Sequence, residues 1–337
     1  MMYKQYTDTE MRLSTKMQAY TSHYAIISSM AYVREEIIMA QQLPNGIYPP
    51  VPTFFDEQED LDLTTFRKHL QRLADSGIAG YVLMGSNGEA VHLTNDERQQ
   101  LIETADIVLQ ELYEQGAEEM PLIVGCGDLS TRATIAHCEQ AARGGADFAL
   151  VIPPSYYRGR MDTNALLTHY RTIADASPLP VLVYNMPANT AGIDLSAELI
   201  CTLAEHPNIV GVKDSAGNIA KLAQIIAAVP ETFRVFAGSA SYLLPALAVG
   251  ASGAVAALAN IFPQDVCDVQ ACFEGEQFDE ARKLQAHLIP INDAVTSGYG
   301  VAGLKAALEL VAGYGGSPRL PLLPLNAQER TRLAELL

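Results

Sequence analysis

Positive charge is scarce in this chain. Its 337 residues hold 22 Lys and Arg against 39 Asp and Glu, a formal net charge of −17. The few cations gather into no Lys/Arg-rich stripe, which argues against nucleic acid as a partner. The acidic balance also works against anionic substrates at long range, so any such substrate needs a locally built site. Cysteine is sparse too. Cys126, Cys138, Cys201, Cys267 and Cys272 are scattered, odd in number, and in no metal-ligand spacing with histidine. That points to a reducing compartment, small buried thiols and no metal centre. No apolar run is long and clean enough to cross a bilayer. The stretch from Leu243 to Leu258, for example, is interrupted by Pro245, Gly250 and Gly253.

The first 45 residues differ from the rest. They are polar, rich in Met and Tyr, and lack both a clear period and the apolar core of a secretory signal. They contain Asp8, Glu10, Glu35 and Glu36, acids that a transit peptide avoids. We read residues 1–45 as a partly ordered extension, with helix around Tyr32–Gln41. The expected location is cytoplasmic, with a mitochondrial address as the alternative.

From Gly46 onward, short apolar runs alternate with amphipathic stretches. Strands are predicted over 46–52, 80–84, 122–125, 148–152, 181–184, 209–213, 234–237 and 253–256. Helices are predicted over 64–76, 95–115, 131–143, 163–176, 196–205, 218–228 and 241–249. Thr94 followed by Glu97 makes a capping box, and Ser196 is a further N-cap. Continuous apolar strands separated by helices imply a parallel sheet covered on its faces. Eight such units fit a closed α/β architecture, the TIM (β/α)8 barrel, better than an open doubly wound sheet. The barrel is expected over 46–260. A helical appendage is expected over 261–337, with helices at 263–272, 278–297, 301–311 and 327–336.

Active sites of such barrels lie at the C-terminal strand ends, and the unusual residues collect there. Lys213 closes the run Ile209-Val210-Gly211-Val212. A lysine leaving a buried strand is costly as a cation, and its neutral amine can attack a ketone. The alternative is a side chain that snorkels to solvent. Tyr184 occupies the equivalent end of the preceding strand, so a phenol beside an amine could transfer protons. It could equally be an aromatic that caps the barrel core. After the second strand, Gly85-Ser86-Asn87-Gly88-Glu89 offers backbone N–H groups and polar side chains that can hold a carboxylate. Glu89 could be a general base, but a structural role within its loop fits it better. No chemistry is assigned to His92, His137 or His206.

Together these residues resemble the pyruvate-dependent class I aldolase and synthase family that includes dihydrodipicolinate synthase and N-acetylneuraminate lyase. The family pattern is G-[ST]-x-G-E, Y-N-x-P and G-[IV]-K-[DE]-S. Here it reads GSNGE from Gly85, YNMP from Tyr184 and GVKDS from Gly211, in the family's order. Within the family the likeness is greatest to 4-hydroxy-2-oxoglutarate aldolases, through segments such as Ile47-Tyr48-Pro49-Pro50 and Pro187-Ala188-Asn189-Thr190. The GSNGEAVHLT stretch also looks like fungal 2-keto-3-deoxy-sugar-acid aldolases. The resemblance implies that Lys213 forms a Schiff base with a 2-oxo acid, without metal or other cofactor. It implies that Tyr184 moves protons and that Tyr157 completes a hydroxyl relay across a subunit contact. Ser86, Asn87 and Gly88 would hold the C1 carboxylate, and Ser215 would orient substrate or water. Arg158 or Arg160 could meet a distal carboxylate or form surface ion pairs. A homo-oligomer, in particular a tetramer, is implied as well. One departure is informative. Dihydrodipicolinate synthases carry arginine five residues after the motif tyrosine, where Asn189 stands here. Losing a bidentate guanidinium counts against the synthase activity.

Overall fold

Each short apolar run becomes a strand and each amphipathic stretch a helix. The computed structural model describes residues 42–337, so the helix expected at Tyr32–Gln41 lies outside the described residues. The order begins β1 (Gly46–Tyr48), α1 (Leu63–Ala74), β2 (Tyr81–Leu83), α2 (Asn95–Glu114), β3 (Leu122–Gly125), α3 (Thr131–Arg143), β4 (Phe148–Val151) and α4 (Thr163–Ala176). It continues with β5 (Val181–Asn185), α5 (Ala197–Leu203), β6 (Ile209–Asp214), α6 (Ile219–Ala228), β7 (Arg234–Ala237), α7 (Leu243–Ala248) and β8 (Gly253–Val255). The eight strands pair in parallel in the order β1-β8-β7-β6-β5-β4-β3-β2. The chain after β1 closes the ring: Val82 N–H donates to Pro49 O at 3.1 Å, and Val51 N–H donates to Val82 O at 2.8 Å.

Strand alternation sorts the apolar residues into two cores. Tyr48, Val82, Ile123, Leu182, Phe236 and Val255 belong to the cluster that fills the barrel. Their strand neighbours, such as Tyr81, Val124, Val183 and Val235, join the larger cluster beneath the helices. The capping box at Thr94 and Glu97 starts α2, and Ser196 Oγ accepts from Leu199 N–H at 3.2 Å to start α5.

The helix predicted over 196–205 is shorter, Ala197–Leu203, and two others give way to a different kind of turn at one end. The segment expected over 241–249 begins as a 3-10 turn, Ala240–Tyr242, because Ser239 Oγ takes the Ser241 N–H. The α-helix α7 starts only at Leu243, which leaves Pro245 within its first turn, where a missing N–H is tolerated. After α8 (Pro263–Glu274), the long helix expected over 278–297 is α-helical only over α9 (Phe278–Asp293). It then widens into a π-turn, Ala294–Gly298, closed by Tyr299 N–H donating to Ala294 O at 2.8 Å. Two further helices, α10 (Gly300–Ala312) and α11 (Ala327–Ala334), complete the C-terminal segment. Residues 43–337 pack as one compact unit.

Candidate active site

Strands β5 and β6 lie side by side in register, with Tyr184 opposite Lys213 and Asn185 opposite Asp214. Alternation therefore sends the phenol and the amine to one face and the amide and carboxylate to the other. Tyr184 and Lys213 are only 5% and 3% exposed. Lys213 Nζ sits 3.9 Å from the centroid of the Tyr184 ring. Burial pushes the Tyr184 phenol up. The Lys213 charge, with the nearby polar groups of Ser86, Lys213 and Ser215, outweighs it, leaving Tyr184 below the ordinary tyrosine range. A phenol tuned this way is a better acid than a free tyrosine, and it stands against the Lys213 amine.

The outward-facing pair is locked from behind. Asn185 Nδ2 donates to Asp194 Oδ1 at 2.7 Å and to Asp214 Oδ2 at 2.8 Å. Lys221, on α6, reaches the same two carboxylates at 2.6 and 2.7 Å. Asn185 Oδ1 accepts from Leu195 N–H at 2.9 Å. The residue after each inward-facing side chain thus pins its strand end. This cluster was absent from the sequence reading, although the Asn of Y-N-x-P and the Asp of G-V-K-D-S were its visible half.

The GSNGE loop forms a 3-10 turn over Ser86–Gly88 at the end of β2. Its approach needs a glycine on the neighbouring strand: a Cβ at Gly125 would lie 1.9 Å from Met84 O. Ser86 Oγ is 3.5 Å from Tyr184 Oη, and Asn189 Nδ2 donates to Ser86 Oγ at 2.9 Å. Ser86, Asn189, Tyr184 and Lys213 therefore belong to one assembly. Ser215 follows on β6's end and packs against Gly238, where a Cβ would meet Ser215 Oγ at 1.9 Å. That hydroxyl is buried without a partner at hydrogen-bonding distance and geometry, though it is close enough to contribute to the lowering of Tyr184. A cavity of about 690 Å³ opens beside the assembly. Ser86, Tyr184 and Asn189 line it together with Arg98, Asp128 and His137, while Lys213 does not line it directly. Among the described residues, no group of three or more His, Cys, Asp or Glu is placed to hold a metal ion.

The family model for the dihydrodipicolinate synthetase family matches residues 43–337. The chain belongs to this family. It is 42% identical over 290 residues to a protein of Emericella nidulans named as a probable mitochondrial 4-hydroxy-2-oxoglutarate aldolase, covering 86% of this chain and 93% of that one. It is 39% identical over 302 residues to the L-threo-3-deoxy-hexylosonate aldolase of Hypocrea jecorina, covering 87% and 95%. Among solved structures, the dihydrodipicolinate synthase DapA-2 of Bacillus anthracis superposes with a TM-score of 0.81 at 30% identity, covering 87% of this chain and 97% of its own.

Other residues singled out in this family member stand apart from the assembly. Tyr157 is 69% exposed and packs edge-on against Tyr156, which is 76% exposed. Within one chain it does not line the cavity. Arg158 and Arg160 lie in the exposed 3-10 turn after β4 and do not line it either. Asn87 is half-buried, and Gly88 is buried with its carbonyl accepting from Thr53 Oγ1 at 2.7 Å. The Glu89 carboxylate meets Lys305 Nζ at 2.6 Å. It also accepts Arg319 N–H at 2.9 Å. His92 shares that carboxylate at 3.1 Å, and His206 reaches Asp175 at 3.1 Å, so both have partners that sequence spacing did not reveal.

Proposed function

We propose that this protein is a Schiff-base aldolase, a carbon–carbon lyase that cleaves 4-hydroxy-2-oxoglutarate to pyruvate and glyoxylate. The observation that carries the reading is the register pairing of Tyr184 with Lys213, amine against phenol at the mouth of the barrel. The free-base amine of Lys213 adds to the C2 carbonyl, and loss of water leaves a protonated imine. Removal of the C4 hydroxyl proton then breaks the C3–C4 bond. The aldehyde departs, and the bonding electrons move through C3 onto the iminium nitrogen as an enamine. Protonation at C3 and addition of water release pyruvate and restore the amine. The iminium is the electron sink, so no metal or other cofactor is required. Tyr184 is the proton carrier, a role worth on the order of 10²–10⁴-fold in rate. Ser86, Asn87 and Gly88 hold the C1 carboxylate against the lysine, and Ser215 orients substrate or water.

Tyr157 completes the hydroxyl relay from a neighbouring subunit in a homotetramer. The exposed pair Tyr156 and Tyr157 supports this, since two large apolar rings at the edge of the site are suited to burial in a contact. The "mitochondrial" in the name of the Emericella relative favours the mitochondrial alternative over a cytoplasmic location. Asn189 gives neutral hydrogen bonds where arginine would give a charged, bidentate pair. Condensation with aspartate semialdehyde is therefore poor. The second reading, cleavage of a 2-keto-3-deoxy sugar acid, is favoured by the Hypocrea relative, whose name states such a substrate class.

Borohydride reduction in the presence of pyruvate should add a covalent mass at Lys213 alone. A label on any other lysine refutes the mechanism. Pyruvate release from a panel of 4-hydroxy-2-oxo acids then ranks the two substrates.

A further inference from the structure

Lys305, like Lys221, is a buried lysine with a carboxylate partner, and the reaction does not use it. It lies on α10, 216 residues from Glu89 in sequence. The side chains of both are fully buried, with Nζ 2.6 Å from Glu89 Oε1. Lys305 Nζ also donates to Ser317 O at 3.0 Å and stands 4.5 Å from the centroid of the Phe55 ring. The second oxygen, Glu89 Oε2, accepts Arg319 N–H at 2.9 Å. The Arg319 guanidinium covers the other contacts of the loop, reaching Glu97 at 2.6 Å and His92 O at 2.8 Å. The chain returns tightly over α10 to make these bonds, since a Cβ at Gly315 would lie 2.0 Å from Lys305 O.

Glu89 needs such an anchor. Its backbone is left-handed, with φ 51° and ψ 37°, a conformation that a side chain other than glycine or asparagine resists. It directly follows the turn of Ser86–Gly88, and its N–H closes that turn on Ser86 O at 3.2 Å. A strained residue keeps its conformation only where the surroundings over-determine it. Here the surroundings are the C-terminal helical segment. A buried ion pair is a weak source of stability compared with apolar packing. Its geometry is specific, however, and this one is spent on a loop at the substrate site.

We propose that Lys305 is a positioning residue: by holding Glu89, the C-terminal segment sets how tightly the Ser86–Gly88 turn grips the carboxylate of a 2-oxo acid. The inference rests on the assignment of that turn as the carboxylate cradle. The test compares two ketones in borohydride trapping at Lys213. Pyruvate carries the carboxylate and acetone lacks it. Lys305→Met leaves Glu89 buried without its cation. The double variant Glu89→Gln, Lys305→Met removes both charges and the bond between them at nearly constant side-chain volume, and it carries the test if the single variant does not fold. The half-saturating pyruvate concentration should rise at least about 10-fold in the variants, because small misplacements of binding groups are costly. The rate of trapping with acetone should stay within about twofold of the parent, since no carboxylate is being held. Equal losses with both ketones would assign Lys305 to fold stability alone and overturn the proposal. So would a folded variant whose pyruvate saturation matches the parent. A parent protein that pyruvate does not label would instead remove the functional reading on which the proposal stands.

Discussion

Gly125 does no chemistry, yet replacing it with alanine should damage catalysis more than most changes at the site's rim. The added Cβ would stand 1.9 Å from Met84 O and 2.7 Å from Met84 C, both backbone atoms that cannot rotate away. Real contacts of this kind stay above 3.0 Å, so the β2 end and β3 must separate by about 1 Å. Met84 already has a positive φ of 51°, which leaves its peptide little room to adjust without moving Gly85 and Ser86. Overpacking of this kind costs about 1–3 kcal/mol. At roughly 2–4 °C per kcal/mol for a domain of this size, the midpoint of thermal unfolding should fall by several degrees. The kinetic effect should be larger. A displacement of about 1 Å at a positioning group costs on the order of 100-fold, and Ser86 Oγ is the group 3.5 Å from the Tyr184 hydroxyl. Gly125→Ala should therefore lower kcat/KM for pyruvate release by about 100-fold, with far-ultraviolet circular dichroism unchanged. A kcat/KM within about threefold of the parent in a normally folded variant would show that the strand end does not set the position of Ser86.

The titration of Tyr184 depends on its neighbour. In Lys213→Met, burial would act on the phenol without the opposing cation, so its ionisation, followed by ultraviolet absorbance, should move to higher pH; Tyr170, buried with nothing to oppose it, is already raised. An unmoved titration in this variant would mean that Lys213 does not tune Tyr184. At the surface, hydrogen bonding from Arg319 chiefly holds Glu97 down to about 2, against the opposing effect of burial. Because the folded value is depressed, the stabilisation is present above the ordinary value of 4.5 and is lost as pH falls toward 2. Glu97→Gln should cost about 1–2 kcal/mol near neutrality after allowance for solvent screening, and the deficit in denaturant unfolding should vanish near pH 2. A deficit that is constant with pH would contradict the assignment.

Local pattern alone determined the order of strands and helices and the closed barrel. Alternation and helical spacing depend only on where apolar residues stand along the chain, and the caps at Thr94 and Ser196 act within three residues. The three motifs were legible for the same reason, being short and contiguous, so Lys213, Tyr184 and Ser86 could be named from the sequence. The helix after α8 was misjudged because a π-turn is decided by hydrogen bonds one residue out of step, which composition does not record. What required the tertiary structure was every relation across long separations. That Tyr184 and Lys213 end neighbouring strands was legible, but the register that brings Lys213 Nζ to 3.9 Å from the Tyr184 ring comes from strand pairing. The clamp of Asn185, Asp214, Lys221 and Asp194 joins three elements. The burial of Lys305 against Glu89 links residues far apart in the chain that only packing brings to 2.6 Å. The sequence names the groups that can do the chemistry. The energetics of burial decide which of them meet, since a buried charge must find its partner wherever the fold has placed it.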